Sequence, residues 1–412
     1  MSINVQRGSG KRRIRMQQRE NWRDLAVFGG SPLFREPLHV NKPNLASRNR
    51  LFELLDGMLT SRWFSDGPLV REFEDRVGHL AGVRHCVATC NGTMALEIAV
   101  RALGLSGEVI VPSFTFAATV QALRWLNITP VFCDVDPKTH NIDPSHVQRL
   151  ITARTSAIIG VHLWGQPCDI DALASIAKRH RLALLFDAAH AFGSSCGGRP
   201  IGGFGRAEVF SFHATKFVNT AEGGAITTND DAFAARLRAV RDFGFDSNDQ
   251  IVDVGTNGKM SEVCAAMGLT YLEALNELIA ANQVTYRHYK AELAAIRGIS
   301  LFPLETAGKS NYQYIVTVVD ESITQISRDE ILRVLQAENI LAKRYFHPGC
   351  HRMMPGDAVQ SLPVTENLVR TVLVLPGGAS IDSHEVHGVC ETLALAVKHG
   401  SLIRGALANR PS

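Results

Sequence analysis

Short apolar runs rich in β-forming residues alternate with longer amphipathic stretches from about residue 80 to 230. The runs have the length of buried strands, and the stretches have the length of helices that cover a sheet. Short buried strands joined by helices are typical of a mostly parallel sheet in an α/β layer fold. The predicted strands are 109–111, 130–132, 157–161, 183–186, 207–210 and 224–228, and the predicted helices are 93–103, 116–126 and 169–180.

The pattern changes after Gly258. Apolar residues at helical spacing predict one long helix over 261–280, which leads out of the large domain. The remaining residues mix helices with strands such as 313–319 and 371–375, which favours a smaller α+β domain. We therefore expect three parts: a basic, poorly ordered arm at 1–25, a large domain with its N-terminal segment at 26–275, and a small C-terminal domain at 276–412.

The overall charge argues against several classes of function. The net charge of +3 gives no general case for nucleic-acid binding. The basic cluster at residues 11–15 favours a solvated arm, with a polybasic contact as the alternative. No apolar segment typical of a secretory signal follows the arm, and no stretch approaches the ~20 residues that span a bilayer. We therefore expect a cytoplasmic protein that binds neither nucleic acid nor membrane.

The eight cysteines are scattered along the chain, and no Cys-x-x-Cys pair occurs. This spacing favours reduced thiols over a disulfide framework or a metal site. We therefore expect no metal centre.

Lys216 follows an apolar strand in the segment 210–224, which ends in Glu-Gly-Gly and a further strand. A lysine at a strand end is partly desolvated, and desolvation lowers its pKa, so that the neutral amine is available for Schiff-base chemistry. Ser211, at the same strand end, is a candidate hydrogen-bond donor to a phosphate. The alternative is a surface lysine after a Gly-rich hairpin.

Asp187 ends another apolar strand, and His190 follows it by three residues. A carboxylate is costly to bury unless it meets a cation. The pyridine nitrogen of pyridoxal phosphate (PLP) is such a cation, and a carboxylate keeps it protonated. His190 is a candidate partner of the cofactor's phenolic oxygen. The alternatives are an Asp that caps the next helix and a packed or surface His.

Two further turns complete the set. Asn91, Gly92 and Thr93 open a helix, where backbone amides and a threonine hydroxyl suit a phosphate, although such residues also cap ordinary helices. Phe116 follows a strand end and is a candidate for stacking on a cofactor ring, with a core position as the alternative. All four turns lie at strand ends of one predicted sheet, where ligands of open α/β sheets collect. Together they predict a PLP site.

These motifs resemble those of the DegT/StrS-type sugar aminotransferases, which have fold type I of the PLP enzymes, the aspartate aminotransferase fold. The resemblance is strong from about residue 59 to 272 and weaker to residue 376. It implies that Lys216 holds PLP as a covalent Schiff base and also moves a proton. It further implies that Asp187 pairs with the ring nitrogen and His190 with the phenolic oxygen. The implied ring and phosphate contacts are Phe116, Gly92, Thr93 and Ser211.

The resemblance also implies an obligate homodimer with shared active sites. Asn257 matches a family position that reaches the phosphate of the neighbouring subunit's cofactor, and Gln166 matches one near the cofactor or substrate. Many members have Tyr-Arg after the asparagine, whereas this chain has Gly258 and Lys259. The segment 344–348 loosely resembles one that lines the sugar-nucleotide site.

The family's usual reaction moves an amino group from L-glutamate to a keto sugar on a nucleotide diphosphate. Members that aminate C3 often have Gln at the position of His190, whereas many C4 enzymes have His. The sequence therefore favours C4 amination of a 4-keto-6-deoxyhexose on dTDP or UDP, with C3 amination as the alternative.

Three other functions are weighed against this prediction. A sugar dehydratase of the family has His in place of the Schiff-base lysine, whereas Lys216 is present. A desulfurase needs a cysteine on a mobile loop, and Cys350 is the only candidate. A non-catalytic PLP-binding regulator usually adds a DNA-binding domain, and no helix-turn-helix pattern precedes residue 50.

Overall fold

The computed structural model describes residues 21–43, 45–304, 308–353 and 360–409. The basic cluster at residues 11–15, and with it most of the arm predicted at 1–25, lies outside these ranges. The strands are β1 Leu38–His39, β2 His85–Thr89, β3 Glu108–Pro112, β4 Thr129–Cys133, β5 Thr155–Val161, β6 Ala183–Asp187, β7 Ser195–Cys196, β8 Arg199–Pro200, β9 Ala207–Ser211, β10 Gly224–Thr228, β11 Ile299–Leu301, β12 Ile315–Val319, β13 Ile340–Leu341 and β14 Val372–Leu375.

The helices alternate with these strands along much of the chain. They are α1 Arg48–Ser61, α2 Pro68–Ala81, α3 Gly92–Ala102, α4 Ala117–Trp125, α5 Pro144–Leu150, α6 Ile170–His180, α7 Asp231–Arg241, α8 Glu262–Glu273, α9 Leu275–Leu293, α10 Glu321–Thr324, α11 Arg328–Ala337, α12 Pro363–Thr371, α13 Ser383–Lys398 and α14 Gly400–Ala408. Short 3-10 helices occur at Trp22–Asp24, Ala26–Phe28, Leu163–Gly165 and Cys350–Arg352.

A seven-stranded sheet forms the centre of the larger part of the molecule, in the order β2-β10-β9-β6-β5-β3-β4. The neighbours from β9 to β4 pair in parallel, whereas β10 is antiparallel to both β2 and β9. Every residue of β3 and of β10 is buried, as expected for strands that are covered on both faces. The predicted α/β fold with a mostly parallel sheet is confirmed.

The single helix predicted over 261–280 is wrong. Two helices occupy this stretch, α8 and α9, and they bend by 66° at Ala274. The Ala274 amide donates a hydrogen bond to the Tyr271 carbonyl, three residues earlier, so α8 ends in a tight last turn. Helix α8 packs against α1 and α2, whereas α9 packs against α13 and β11, and these different partners require different directions.

A three-stranded antiparallel sheet, in the order β11-β12-β14, organises the C-terminal part. The N-terminal segment also packs there, because β1 pairs in parallel with β13. The domain limits expected at 275 and 276 stay a prediction.

Among the described residues, no single helix has the length and apolar character to cross a membrane. Helices α8 and α9 pass such a test only as a bent pair, by length and composition.

Glu262 holds the start of α2 in place. Its buried carboxylate accepts hydrogen bonds from the amides of Gly67, Leu69 and Val70, each at 2.9 Å. Glu262→Ala leaves these amides without their acceptor, so we expect the free energy of unfolding to fall by about 2–4 kcal/mol. Urea denaturation measures this change. Glu277→Ala, at an exposed position of α9, serves as control, and an equally small effect of both variants would contradict the prediction.

Candidate active site

A cavity of about 580 Å³ opens at the carboxyl ends of β3, β5, β6 and β9, beside the first turn of α3. Parallel strands bring their carboxyl ends to one edge of a sheet, which explains why turns far apart in sequence meet here. The structure brings seven of the nine predicted site residues to this cavity: Gly92, Thr93, Phe116, Asp187, His190, Ser211 and Lys216. Gln166 and Asn257 do not line it.

Lys216 lies in the turn after β9. Its amine donates a hydrogen bond to the Tyr314 hydroxyl at 3.2 Å. Burial lowers the pKa of Lys216 to about 8, and the nearby Asp187 carboxylate opposes this shift. An amine with such a pKa is neutral in a useful fraction near neutral pH, and the neutral form is the nucleophile that attacks a carbonyl carbon. These contacts do not fit the alternative of a plain surface lysine.

Asp187 is buried at the end of β6, one of the central strands. One carboxylate oxygen accepts a hydrogen bond from the Thr119 hydroxyl at 2.8 Å, and the other accepts one from the Ala189 amide at 3.0 Å. Burial raises the pKa of Asp187, while these two bonds and the Lys216 amine lower it. No helix follows Asp187 directly, so it is not a helix cap. A cation brought into the cavity would stabilise its ionised form.

His190 is buried under a layer of aromatic rings. It stacks on Trp164 with ring centroids 5.7 Å apart and lies 4.4 Å from the Tyr314 ring. Burial lowers the pKa of His190 well below its usual range, so the ring is neutral. Its Nδ1 accepts a hydrogen bond from the Trp164 amide at 3.4 Å. The proton therefore sits on Nε2, which makes His190 a hydrogen-bond donor.

The first turn of α3 forms a cradle against the end of β9. The Asn91 side chain caps the helix by accepting a hydrogen bond from the Met94 amide at 2.8 Å. A Cβ atom on Gly92 would lie 2.9 Å from the Cβ of Ser211, so glycine is needed for this close approach. A helix N-terminus attracts anions, and Thr93 and Ser211 add hydroxyl groups. The cradle has the chemistry of a phosphate site.

Phe116 caps α4 at the rim of the cavity and is 60% exposed. The alternative of a core position is therefore wrong. A large apolar ring that the protein leaves exposed beside a cavity is available for stacking on a planar ligand.

Gln166 and Asn257 lie elsewhere. Gln166 follows a 3-10 helix, and its backbone carbonyl accepts a hydrogen bond from Asn141 at 3.1 Å. Asn257 is exposed in the segment before α8, and the next residue, Gly258, accepts a hydrogen bond from the Cys90 amide at 2.8 Å. Lys259 contacts Asp242 within the chain. The predicted roles of Gln166 and Asn257 stay predictions.

Sequence reasoning missed two of the residues that close the cavity from the C-terminal part, Tyr314 and Lys343, whereas Tyr345 and Phe346 fall in the segment 344–348 that resembles a sugar-nucleotide site. Tyr314 precedes β12, and Lys343, Tyr345 and Phe346 follow β13; all four line the cavity. Trp164, which stacks on His190, was also missed. A possible signal for Tyr314 was the aromatic content of the segment 312–314, but nothing in its spacing points to the strand ends of the large sheet.

Comparison with known proteins assigns the chain to a family. A family model described as the DegT/DnrJ/EryC1/StrS aminotransferase family matches residues 46–394. The chain belongs to this aminotransferase family. It is a PLP-dependent sugar aminotransferase of fold type I, as its sequence motifs predicted.

Individual relatives support the assignment. The dTDP-4-amino-4,6-dideoxy-D-glucose transaminase of Shigella dysenteriae is 38% identical over 314 residues, which cover 76% of this chain and 85% of the relative. The GDP-perosamine synthase of Caulobacter vibrioides is 35% identical over 363 residues, which cover 86% and 97%. The crystal structure of DesI, in the presence of its TDP-sugar product, has a TM-score of 0.92 and 49% identity. The match covers 94% of this chain and 100% of the DesI chain.

The residues of this aminotransferase fit PLP. The cradle of Gly92 and Ser211 suits the phosphate, and a Cβ atom would fill it. The buried Asp187 carboxylate suits a protonated ring nitrogen, and the Lys216 amine suits a covalent bond to the aldehyde. The phosphate, the ring nitrogen and the aldehyde of PLP thus each have a protein group of matching chemistry in the cavity.

Cys350 is not a catalytic nucleophile. Its thiol is buried and donates a hydrogen bond to the Thr115 carbonyl at 3.2 Å. Burial raises the pKa of Cys350 to about 12, so the thiolate is scarce at neutral pH. This environment removes the support for a desulfurase.

Gly92→Ala tests the phosphate cradle. The added methyl group crowds Ser211, and overpacking of this kind costs about 1–3 kcal/mol, so we expect the Kd for PLP to rise roughly tenfold or more. Absorbance titration of the cofactor-free protein measures the Kd. Gly57→Ala is the matched control, because a Cβ atom there meets nothing within 4 Å. An unchanged Kd in Gly92→Ala would place the phosphate elsewhere.

Proposed function

We propose that the enzyme transfers the amino group of L-glutamate to C4 of a 4-keto-6-deoxyhexose linked to dTDP. The observation that carries this proposal is the likeness to DesI, whose structure was determined with a TDP-sugar product. The name of the Shigella relative, a dTDP-4-amino-4,6-dideoxy-D-glucose transaminase, supports the same position and nucleotide. His190, the residue type that favours C4 over C3 in this family, lies at the cavity.

Each cavity residue has a task in this proposal. Lys216 would hold the cofactor through its amine and, when that amine is free, would carry the proton that is removed from the substrate. Asp187 keeps the ring nitrogen protonated, and His190 donates from Nε2 to the phenolic oxygen. When bound, PLP supplies a conjugated ring that takes up the electron pair of the broken C–H bond. Phe116 holds the ring by stacking, and Gly92, Thr93 and Ser211 hold the phosphate.

The cavity can also receive anionic substrates. Glutamate and a nucleotide diphosphate both carry negative charge, and Lys343 lines the cavity beside the buried Lys216, together with the carboxylates of Glu97, Asp187 and Glu222. The two lysines offer partners to negative groups of a substrate. A volume of about 580 Å³ falls in the range of ordinary ligand sites and supports a substrate larger than an amino acid.

We also propose a homodimer. The segment 243–254 leaves several large apolar side chains exposed, among them Ile251 at 71% and Val254 at 65%, and exposed Trp63 and Phe64 lie on a neighbouring segment that pairs with Ser261. Patches of this kind mark interaction surfaces. Asn257 lies beside the patch, which suits its predicted reach to the neighbouring subunit's cofactor.

A cytoplasmic location is part of the same proposal. The eight cysteines are free thiols in the structure, and free thiols persist in a reducing compartment.

The absorption spectrum tests whether Lys216 holds the cofactor. Purified protein with PLP should show the long-wavelength absorption of lysine-bound cofactor, and L-glutamate should bleach it. Lys216→Ala should lack that absorption, because the variant removes the buried amine that lies near Asp187. An identical spectrum in Lys216→Ala would contradict the role of Lys216. A wild-type protein that binds no chromophore even with added PLP would overturn the proposed function.

The bleached enzyme then tests the sugar. A dTDP-linked 4-keto-6-deoxyhexose should restore the colour and yield a 4-amino sugar by mass spectrometry and NMR. The matched 3-keto nucleotide sugar is the control. If only the 3-keto compound restores the colour, the position of amination moves to C3.

The shared active site is tested by complementation. We expect Asn257→Ala and Lys216→Ala each to be inactive as separate dimers. A mixed dimer contains one intact site, so an equal mixture after subunit exchange should recover about a quarter of wild-type activity, given random pairing in a symmetric dimer. Light scattering checks the assembly. No recovery despite proven exchange would mean that each subunit works alone.

A further inference from the structure

The Tyr314 hydroxyl contacts the amine nitrogen of Lys216, the atom proposed to hold the cofactor. Lys216 Nζ is 3.2 Å from Tyr314 Oη, and Tyr314 is buried immediately before β12. The ring also contacts His190, with centroids 4.4 Å apart. Tyr314 therefore touches both Lys216 and the predicted partner of the phenolic oxygen, although it comes from the C-terminal part of the chain.

A second residue holds Tyr314 from the other side. Burial raises the pKa of Tyr314, and the buried Asn41 side chain, within hydrogen-bonding reach of the Tyr314 hydroxyl, opposes this shift. Asn41 has a positive φ of 55°, a conformation that Asn tolerates better than most residues. Leu38 and His39, just before it in the chain, are held by the pairing of β1 with β13, and Asn339 donates a hydrogen bond to the Phe34 carbonyl at 2.7 Å.

We infer that Tyr314 is the hydrogen-bond acceptor that holds the Lys216 amine whenever that amine is not bound to the cofactor, and that Asn41 positions Tyr314 for this task. In the proposed reaction the lysine leaves the cofactor in the first half and rebinds it only at the end of the second half. A free amine on a flexible side chain needs a partner in between, or it loses its orientation. The N-terminal segment thereby becomes part of the active site.

A hydroxyl suits this task better than a carboxylate. An Asp or Glu would hold the lysine as an ammonium ion and suppress its attack on the cofactor. A tyrosine oxygen accepts from the ammonium and from the neutral amine alike, and the bond from the ammonium is the stronger of the two. Loss of the hydroxyl therefore removes more stabilisation from the charged form.

Other groups also act on Lys216. Asp187 faces it from β6, His190 from the following turn, and Tyr345 lies near Tyr314 after β13. Lys42 lines a small cavity on the far side of Lys216. None of them is altered in the variants below, so a change in the titration of Lys216 reports on Tyr314 and Asn41.

The test uses the full-length protein after removal of the cofactor. Labelling with acetic anhydride at a series of pH values, followed by mass spectrometry of the Lys216 peptide, gives the midpoint of titration. Tyr314→Phe should lower this midpoint by roughly half to one pH unit, so that labelling at pH 7 becomes about three- to fivefold faster. Tyr289→Phe is the matched control, because it removes another buried hydroxyl, one that donates to the Pro376 carbonyl.

Asn41→Gly is tested both in the otherwise wild-type protein and together with Tyr314→Phe. Asn41→Gly keeps the positive φ accessible and removes the amide, and it should shift the midpoint in the same direction by less. In a Tyr314→Phe background it should add no further shift, since its effect runs through the hydroxyl. Asn339→Gly, which loosens the same N-terminal segment without touching Tyr314, should leave the midpoint unchanged.

Two results would overturn the inference. One is a midpoint in Tyr314→Phe equal to that in Tyr289→Phe. The other, for Asn41, is an equal shift in both backgrounds or an equal shift in Asn339→Gly. If Tyr314→Phe fails to fold, the Lys216 midpoints of Asn41→Gly and Asn339→Gly still test the inference, because only Asn41→Gly is expected to shift. The inference rests on the role proposed for Lys216, and protection from labelling by added PLP tests that role separately.

Discussion

The Asp187 carboxylate is held away from water at the end of a central strand, and the surrounding structure offsets the cost of keeping it there. A buried carboxylate needs donors, and Asp187 has the Thr119 hydroxyl and the Ala189 amide. It also needs positive charge, which Lys216 supplies from the turn after β9. The same burial acts in the opposite direction on Lys216, whose pKa falls to about 8. A carboxylate and an amine with opposed shifts form the kind of arrangement that separates acid and base roles in enzymes.

Aromatic rings and an amide side chain complete this polar centre, and two of these residues, Tyr314 and Asn311, come from the C-terminal part of the chain. Trp164 and Tyr314 enclose His190, which keeps the imidazole neutral and fixes its proton on Nε2. Asn311 donates hydrogen bonds to the carbonyls of His190 and Phe192, at 2.8 and 3.0 Å. These bonds tie the segment before β12, which carries Tyr314, to the turn that carries His190. The geometry around the imidazole thus depends on contacts between distant parts of the chain.

The chain returns to the site from both ends. The N-terminal segment pairs with β13 and brings Asn41 to Tyr314, while the long α8–α9 connection carries the chain from the large sheet to the small one. The bend at Ala274 is what permits this, since α8 packs against α1 and α2 whereas α9 packs against α13 and β11. An enzyme whose site is assembled in this way is sensitive to changes far from the cavity.

The sequence by itself determined the fold class, the cofactor and the residues at the strand ends. Lys216, Asp187 and Gly92 each follow or precede a short apolar run, a pattern that can be read from the sequence alone. Parallel strands place their ends together, so the sequence also predicts that these residues meet. Only the tertiary structure decided which residues enclose that centre. Tyr314, Asn41 and Trp164 act through contacts between segments up to hundreds of residues apart, and their local patterns are those of ordinary strand and loop residues. The break at Ala274 was hidden for the same reason, because periodicity records which face of a helix is apolar but not which partner that face will meet.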